Sequence, residues 1–202
     1  MKIHNCFLDN KNSTNIGNTT LGEMIISQGK EHLWEERTHG HIDTVVIHYM
    51  SAVAINPKRL YDLDLLLGIF CDYGVSSHYL INRRGKILRL VPEDKKAWHS
   101  GPSIMPDPDN RTGVNEFSIG IELAGTEQSG FTNSQYDALC KLCLNIEMRR
   151  SIKIHYVGHD QIAGERAVTK GLRKVAKTDP GLLFEWDYFT KKMSTVRSAQ
   201  TF

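Results

Sequence analysis

The sequence has no long hydrophobic run, and its mean hydropathy is −0.36. Polar residues, among them Asp9, Asn10 and Lys11, follow soon after Met1. A signal peptide or a membrane anchor needs a continuous apolar stretch that this beginning does not provide. We therefore expect a cytoplasmic protein that has no membrane partner.

Cysteine is also scarce. The four cysteines, Cys6, Cys71, Cys140 and Cys143, are too few and too irregularly spaced for a disulfide framework. Cys140 and Cys143 form a C-x-x-C pair, but no second pair completes a structural zinc site, and both lie in a helical pattern. We expect all four to be free thiols.

The sequence also lacks a large excess of charge of one sign, because the formal net charge is only +2 and the Lys and Arg residues are scattered. This distribution does not indicate a nucleic-acid partner. The 202 residues, of which 40% are hydrophobic, fit one soluble domain, which we expect to be a monomer. We predict an N-terminal extension over 1–41 that packs on the core, a main domain over 42–193 and a flexible tail over 194–202.

The hydrophobic pattern of the main domain predicts alternating strands and helices. A β-branched run at 44–48 is typical of a buried strand, and two apolar segments around Gly85 predict a β-hairpin. Thr132 and Gln135 fit a capping box at the start of a helix. The full prediction comprises strands at 44–48, 78–81, 86–91, 118–124 and 154–159, with helices that begin at Asn56-Pro57, at 132 and near 184.

Three residues have the side chains and positions of metal ligands. His48 and His159 each end a predicted strand, and Asp179 lies in a tight Pro-Gly turn. Two imidazoles and a carboxylate from separate elements suit zinc, and three protein ligands leave a position open for water. Water activated in this way attacks amide carbonyls at neutral pH. A histidine at a strand end can also be a hydrogen-bonded structural residue.

Glu122 and Lys177 are the candidate catalytic groups. Glu122 shares one strand face with Ser118 and Gly120, which leave room for substrate above it, so its carboxylate could act as a general base. Lys177 precedes Asp179 by two positions and could stabilise an oxyanion. The alternatives are a strand carboxylate paired with a lysine and a solvated loop lysine.

The irregular stretch 92–115 contains Trp98 and His99, which could contact a sugar or a peptide or could merely pack the loop. The remaining histidines are predicted to have surface or structural roles, apart from His78, which is assigned to the core or to the surroundings of the site. They are His4, His32, His39, His41 and His155.

Several motifs occur in the order found in one known family. The sequence resembles the type-2 N-acetylmuramoyl-L-alanine amidases, which are related to peptidoglycan recognition proteins and phage lysozyme-type amidases, and it looks most similar to their AmpD branch. The motifs are Thr44-Val45-Val46-Ile47-His48, Ser77-His78-Tyr79-Leu80-Ile81, Ala97-Trp98-His99-Ser100-Gly101, Phe117-Ser118-Ile119-Gly120-Ile121-Glu122-Leu123, Val157-Gly158-His159 and Lys177-Thr178-Asp179-Pro180-Gly181.

The resemblance implies an α/β fold with a mixed central β-sheet flanked by helices. It also implies zinc bound by His48, His159 and Asp179, with Glu122 as the catalytic carboxylate and Lys177 as the oxyanion partner. The expected reaction is hydrolysis of the amide bond between the muramyl lactyl group and L-alanine in peptidoglycan fragments, as in cell-wall recycling.

Two other functions stay open at this stage. One is a lytic amidase, either a phage endolysin or a secreted effector, that acts on polymeric peptidoglycan. The other is a recognition module that binds peptidoglycan without cutting it. The spacing from His159 to Asp179 is longer than we expect for the AmpD branch, and the charged stretch 165–170 within it could form a lip over the substrate.

Overall fold

The computed structural model describes residues 1–38 and 40–199. His39, one of the histidines predicted to have a surface or structural role, and residues 200–202, at the end of the predicted tail, lie outside these ranges. Within the described ranges, no helix has both the length and the apolar character needed to cross a membrane.

A six-stranded sheet organises the chain, and the elements are as follows. The strands are β1 Ile3–Asn5, β2 Asn15–Ile16, β3 Thr19–Thr20, β4 Trp34–Glu36, β5 Thr44–Met50, β6 Tyr79–Ile81, β7 Ile87–Arg89, β8 Lys95–Ala97, β9 Ser118–Ala124 and β10 His155–Gly158. The helices are α1 Leu21–Ser27, α2 Leu63–Tyr73, α3 Asn133–Arg150, α4 His159–Ala163, α5 Glu165–Thr169 and α6 Trp186–Ser198, and a short 3-10 turn spans Val114–Phe117.

The main sheet has the order β1-β7-β6-β9-β5-β10. Only the β6–β7 pair is antiparallel, as the predicted hairpin requires, and the other neighbours run parallel. Apolar residues on one face pack against α3 and α6, while those on the other face pack against α1 and α2. The expected mixed sheet flanked by helices is therefore confirmed.

The central pair β5 and β9 shows why these segments form buried strands. Val45 and Ile47 lie beside Ile119 and Ile121 on the face that meets α3 and α6, and all four are fully buried. Because side chains alternate along a strand, the intervening residues face the opposite side of the sheet. His48 is one of these residues, so the same alternation also directs its side chain towards the candidate site.

Several helix and turn predictions are confirmed, and one helix start is wrong. The capping box of Thr132 and Gln135 is present at the start of α3. The helix predicted from Asn56 begins only at Leu63, because Asp62 caps it by accepting hydrogen bonds from two main-chain N–H groups of its first turn. The Oδ1 atom of Asn56 accepts from the N–H of Lys58 in the preceding turn instead.

Two further boundaries differ from the predictions. His159 is the first residue of α4 rather than the last residue of a strand, since β10 ends at Gly158. Helix α6 continues to Ser198, so residues 194–198 are helical and not a flexible tail. The four cysteines are free thiols, as predicted.

The first 38 residues are built into the molecule at several points. Strand β1 pairs in parallel with β7 at the edge of the main sheet, and β4 pairs with β8. Leu8, Leu21 and Leu33 are fully buried beside α1 and α2. This segment therefore contributes to the core on the face of the sheet that carries His48.

Arg37 makes the densest set of polar contacts in that segment. Its guanidinium donates to the main-chain carbonyls of Asn115, Glu116 and Ser118 at 2.8, 2.7 and 2.8 Å, and Nε donates to the carbonyl of Glu93 at 3.3 Å. The carbonyls of Asn115, Glu116 and Ser118 precede or begin β9. Arg37 thus fixes the entry of the strand that carries Glu122.

We expect Arg37→Ala to lower the free energy of unfolding by about 2–4 kcal/mol, because it leaves several buried carbonyls without a donor. Urea denaturation followed by circular dichroism measures this change. The exposed Arg84→Ala is the matched control and should stay within about 0.5 kcal/mol of the parent. Equal stability of the two variants would show that the Arg37 contacts do not hold the start of β9.

Candidate metal and catalytic centre

The structure brings the three predicted metal ligands together. One ligand atom from each of His48, His159 and Asp179 lies within 4.8 Å of the other two. Asp179 is at the centre, with carboxylate oxygens 3.1 Å from Nδ1 of His48 and 3.1 Å from Nδ1 of His159. Residues 131 and 20 positions away from Asp179 in the chain therefore meet at one point.

The carboxyl ends of parallel strands bring the ligands to this place. His48 lies near the end of β5, and His159 follows β10, which pairs in parallel with β5. The N–H of Asp160 donates to the carbonyl of Asp179 at 2.7 Å, and the N–H of Lys177 donates to the carbonyl of Ala163 at 2.9 Å. These two bonds fasten the segment carrying Asp179 to α4.

Gly158 allows the same segment to approach the strand end. A Cβ atom at this position would lie 2.7 Å from Cδ of Pro180 and would also collide with the Asp160 carboxylate. A side chain here would thus push the Asp179 turn away from His159. The glycine of the Val157-Gly158-His159 motif has this steric role.

In His48 and His159 the outer ring nitrogen, Nε2, which is the one farther from Asp179, lies within hydrogen-bonding distance of another protein group. Nε2 of His159 donates to the carbonyl of Ser100 at 3.1 Å, and Nε2 of His48 lies 3.0 Å from Nδ1 of His99. A hydrogen bond at one ring nitrogen fixes which nitrogen carries the proton. In the neutral His159 ring Nδ1 is then a lone pair, and in both rings Nδ1 lies 3.1 Å from a carboxylate oxygen of Asp179.

This donor set fits a cation. Burial, followed by the charge of His159, lowers the pKa of His48 to about 4, so its ring is neutral at pH 7. Burial alone would raise the pKa of Asp179, but the contacts with His159 and His48 hold that pKa well below its usual value. An ionised carboxylate and two imidazole nitrogens that face one point can hold a positive ion between them. Two imidazoles and a carboxylate therefore form a plausible metal site.

Glu122 lies beside this cluster. In the parallel pairing of β5 with β9, Glu122 is the register partner of His48, so both side chains leave the same face of the sheet. Its Oε2 atom is buried and has no hydrogen-bond partner among the residues that the structure describes. Burial raises the pKa of Glu122 well above its usual value, with the Asp179 charge adding to the increase and Lys177 opposing it. A raised pKa makes a carboxylate a stronger base than an ordinary one.

One small cavity connects these groups. It has a volume of about 170 Å³, and its lining includes the three candidate ligands together with Glu122, Lys177, Trp98 and His99. A larger neighbouring cavity of about 620 Å³ shares Lys177 and is bordered by Glu127, Glu165 and Leu182. Every site residue predicted from the sequence thus borders the small cavity. The catalytic roles of Glu122 and Lys177, and the substrate contacts of Trp98 and His99, stay predictions.

A ring occupies the space above Ser118 and Gly120, whereas Glu122, above which room for substrate is predicted, borders the small cavity. The His99 ring lies so close that a Cβ atom on Gly120 would be 2.5 Å from its Cγ. Nε2 of His99 lies 3.2 Å from Oγ of Ser118. The small residues on this strand face accommodate the ring, a purpose that their size alone could not distinguish from substrate binding.

The N-terminal segment reaches the rim of the cavity. Nε1 of Trp98 donates to Oε1 of Glu35 at 3.1 Å, and Nζ of Lys30 lies 5.0 Å from the centre of the Trp98 ring. His78 is buried behind the site, where its Nδ1 accepts from the N–H of Gly120 at 3.0 Å. Its predicted place in the core is confirmed. No local pattern in the sequence predicts that Lys30 and Glu35 meet Trp98.

The chain is similar to known proteins in sequence and in fold. AmpD of Enterobacter cloacae, named a 1,6-anhydro-N-acetylmuramyl-L-alanine amidase, is 38% identical over 122 residues, which are 60% of this chain and 58% of that protein. The N-acetylmuramoyl-L-alanine amidase AmiD of Escherichia coli is 33% identical, with 78% of this chain and 55% of that protein covered. The chain thus matches little more than half the length of these curated relatives.

Solved structures agree with the sequence matches. A selenomethionine derivative of AmpD superposes with a TM-score of 0.59 at 31% identity, covering 78% of this chain and 88% of that one. AmiD of E. coli, solved with anhydro-N-acetylmuramic acid-L-Ala-D-γ-Glu-L-Lys as its substrate, also gives a TM-score of 0.59 at 30% identity, covering 78% of this chain and 60% of that one.

The profile of the family described as N-acetylmuramoyl-L-alanine amidase matches residues 38–182. That range contains every residue of the metal cluster and its cavity, together with five of the six strands of the main sheet, all except β1. The chain belongs to the N-acetylmuramoyl-L-alanine amidase family.

Proposed function

We propose that this protein is a zinc-dependent amidase that hydrolyses the bond between the muramyl lactyl group and L-alanine in peptidoglycan fragments, with anhydro-muropeptides of cell-wall recycling as its substrates. The observation that supports this most directly is the meeting of His48, His159 and Asp179 with the unpartnered carboxylate of Glu122 in one cavity. The substrate bound to the related AmiD is of this chemical class. A cytoplasmic location stays a prediction.

His48, His159 and Asp179 would hold the zinc ion. When bound, zinc polarises an amide carbonyl and makes water acidic enough to attack at neutral pH. Hydrogen-bond contacts at the Nε2 atoms orient both histidine rings, and the ionised Asp179 offsets part of the ion's charge. These ligands leave room for water and substrate on the side of the cavity.

Glu122 would move the proton. Among the described residues, its Oε2 atom has no partner that competes for a water molecule, and burial raises its pKa, which makes it a stronger base than an ordinary carboxylate. Glu122 accepts the proton from the attacking water and then delivers it to the nitrogen of the departing L-alanine. The amide bond breaks as that nitrogen becomes an amine.

Lys177 would stabilise the negative charge on the carbonyl oxygen. It borders the same cavity as Glu122, and its backbone is fixed to the end of α4 by the hydrogen bond to Ala163. A cation placed where charge develops during the reaction lowers the barrier more than one that binds the ground state. Lys177 therefore completes the groups that amide hydrolysis requires.

We expect Glu122→Gln to lower kcat by roughly 10²- to 10⁴-fold while zinc stays bound, because the amide keeps the shape of the side chain but cannot take a proton. Steady-state cleavage of a muramyl peptide measures the rate, and atomic emission measures the zinc content. Glu31→Gln, at an exposed position, is the matched control. A rate near that of the parent in Glu122→Gln would exclude Glu122 as the general base.

We expect His159→Ala to lose zinc and activity together. In the parent, zinc binding should raise Tm, and the increase should grow with the logarithm of the zinc concentration divided by Kd, since the ion binds only the folded state. The variant should show no such increase in a thermal melt with added zinc. His155→Ala changes an exposed histidine on the neighbouring β10 and should respond to zinc as the parent does. Normal zinc binding by His159→Ala would refute the ligand set.

The substrate is tested by mass spectrometry with a defined anhydro-muramyl tetrapeptide and, separately, intact sacculi. We expect free peptide to be released from the monomer, abolished by chelator and restored by zinc. Cleavage of sacculi alone would instead identify a lytic amidase. Binding of the monomer without cleavage would identify a recognition module.

A further inference from the structure

His99 lies between a candidate metal ligand and strand β9. Its Nδ1 is 3.0 Å from Nε2 of His48, and its Nε2 is 3.2 Å from Oγ of Ser118. Oγ of Ser118 in turn donates to the carbonyl of Val114 at 2.6 Å. The four groups form one continuous chain of hydrogen bonds that starts at His48 and ends on the main chain.

The direction of every bond in this chain follows from its last member. A carbonyl only accepts, so the single hydroxyl proton of Ser118 points at Val114 and the Ser118 oxygen accepts from Nε2–H of His99. With its proton on Nε2, the neutral His99 ring has a lone pair on Nδ1. Nε2 of His48 and Oγ of Ser100 each lie 3.0 Å from this Nδ1 atom, so it accepts from both, and the His48 proton of this bond is on Nε2.

His48 is thereby fixed in one tautomer. With its proton on Nε2, its Nδ1 carries the lone pair that faces Asp179, 3.1 Å away. The other tautomer would place a proton where a metal ion has to bind. The position of the His99 ring is itself restricted by Gly120 beneath it and by its edge contact with His48, whose ring centre is 5.1 Å away.

Ser100, the residue after His99, fixes the tautomer of the second histidine ligand, His159. The Ser100 carbonyl accepts Nε2–H of His159 at 3.1 Å. The N–H groups of His99 and Ser100 both donate to Oδ1 of Asn115, at 3.3 and 2.8 Å. One short loop, held by Asn115, therefore orients both imidazole ligands.

We propose that His99 is a positioning residue that holds His48 in the tautomer and orientation required to bind the metal ion, rather than a residue whose main role is to contact substrate. This inference rests on the proposed zinc site. Mutation of a residue that forms a hydrogen bond with a metal ligand typically lowers metal affinity by about 10- to 100-fold.

The first test measures zinc affinity by competition with a chromophoric chelator. We expect His99→Leu, which offers no acceptor to His48, to weaken zinc binding by about 10- to 100-fold. His99→Asn places its amide oxygen where Nδ1 stands, so it should restore most of the affinity. Thermal melts in excess chelator show whether each metal-free variant is folded.

The second test needs no variant at the loop. Long-range ¹H–¹⁵N spectra of the metal-free parent distinguish protonated from unprotonated imidazole nitrogens, with His48 assigned through His48→Gln. We expect the proton of His48 on Nε2 in the parent. Ser118→Ala, which removes the acceptor at the far end, should weaken that preference and lower zinc affinity.

The outcomes separate the two proposals. Failure of the parent to bind zinc would refute the proposed function. Zinc binding by the parent with equal affinity in a folded His99→Leu would overturn only the role of His99, as would a parent His48 that carries its proton on Nδ1. Loss of affinity that His99→Asn does not restore would also count against the role of the Nδ1 acceptor.

Discussion

The parallel register between β5 and β9 is the constraint on which the site depends. It places His48 opposite Glu122, while Val45 and Ile47 meet Ile119 and Ile121 on the other face. A slip of one residue would turn the polar residues into the core and the apolar residues towards the cavity. Burial of the four apolar side chains therefore selects the one pairing that brings a candidate ligand beside a candidate base.

Polar groups next to the site orient the strand and the histidine side chains that this register brings together. Arg37 holds the entry of β9, and the loop of His99 and Ser100 holds the outer nitrogens of both histidines. These contacts come from parts of the chain far from the strands that carry His48 and Glu122. The N-terminal segment is consequently part of the structure around the site, although the family match begins only at residue 38.

The sequence was sufficient for whatever depends on local pattern. The alternation in 118–124 correctly predicted the strand and the face of Glu122, and the capping box at Thr132 correctly placed a helix start. The predicted start of α2 was wrong because both Asn56-Pro57 and Asp62 can begin a helix, and only packing selects between them. The contacts of His99 and Arg37 could not be predicted, since they join residues that no local rule relates.

The long spacing between His159 and Asp179 shows how the geometry of a site can be independent of chain length. Two main-chain hydrogen bonds, from Asp160 to Asp179 and from Lys177 to Ala163, close the segment back onto α4. Everything between them, including α5, can vary without moving the ligand, because loop length changes closure entropy only slowly. The segment between Ala163 and Lys177 instead contributes Glu165 and Ala176 to the wall of the larger cavity. Its length therefore affects the surroundings of the reacting groups and not the contacts that hold them in place.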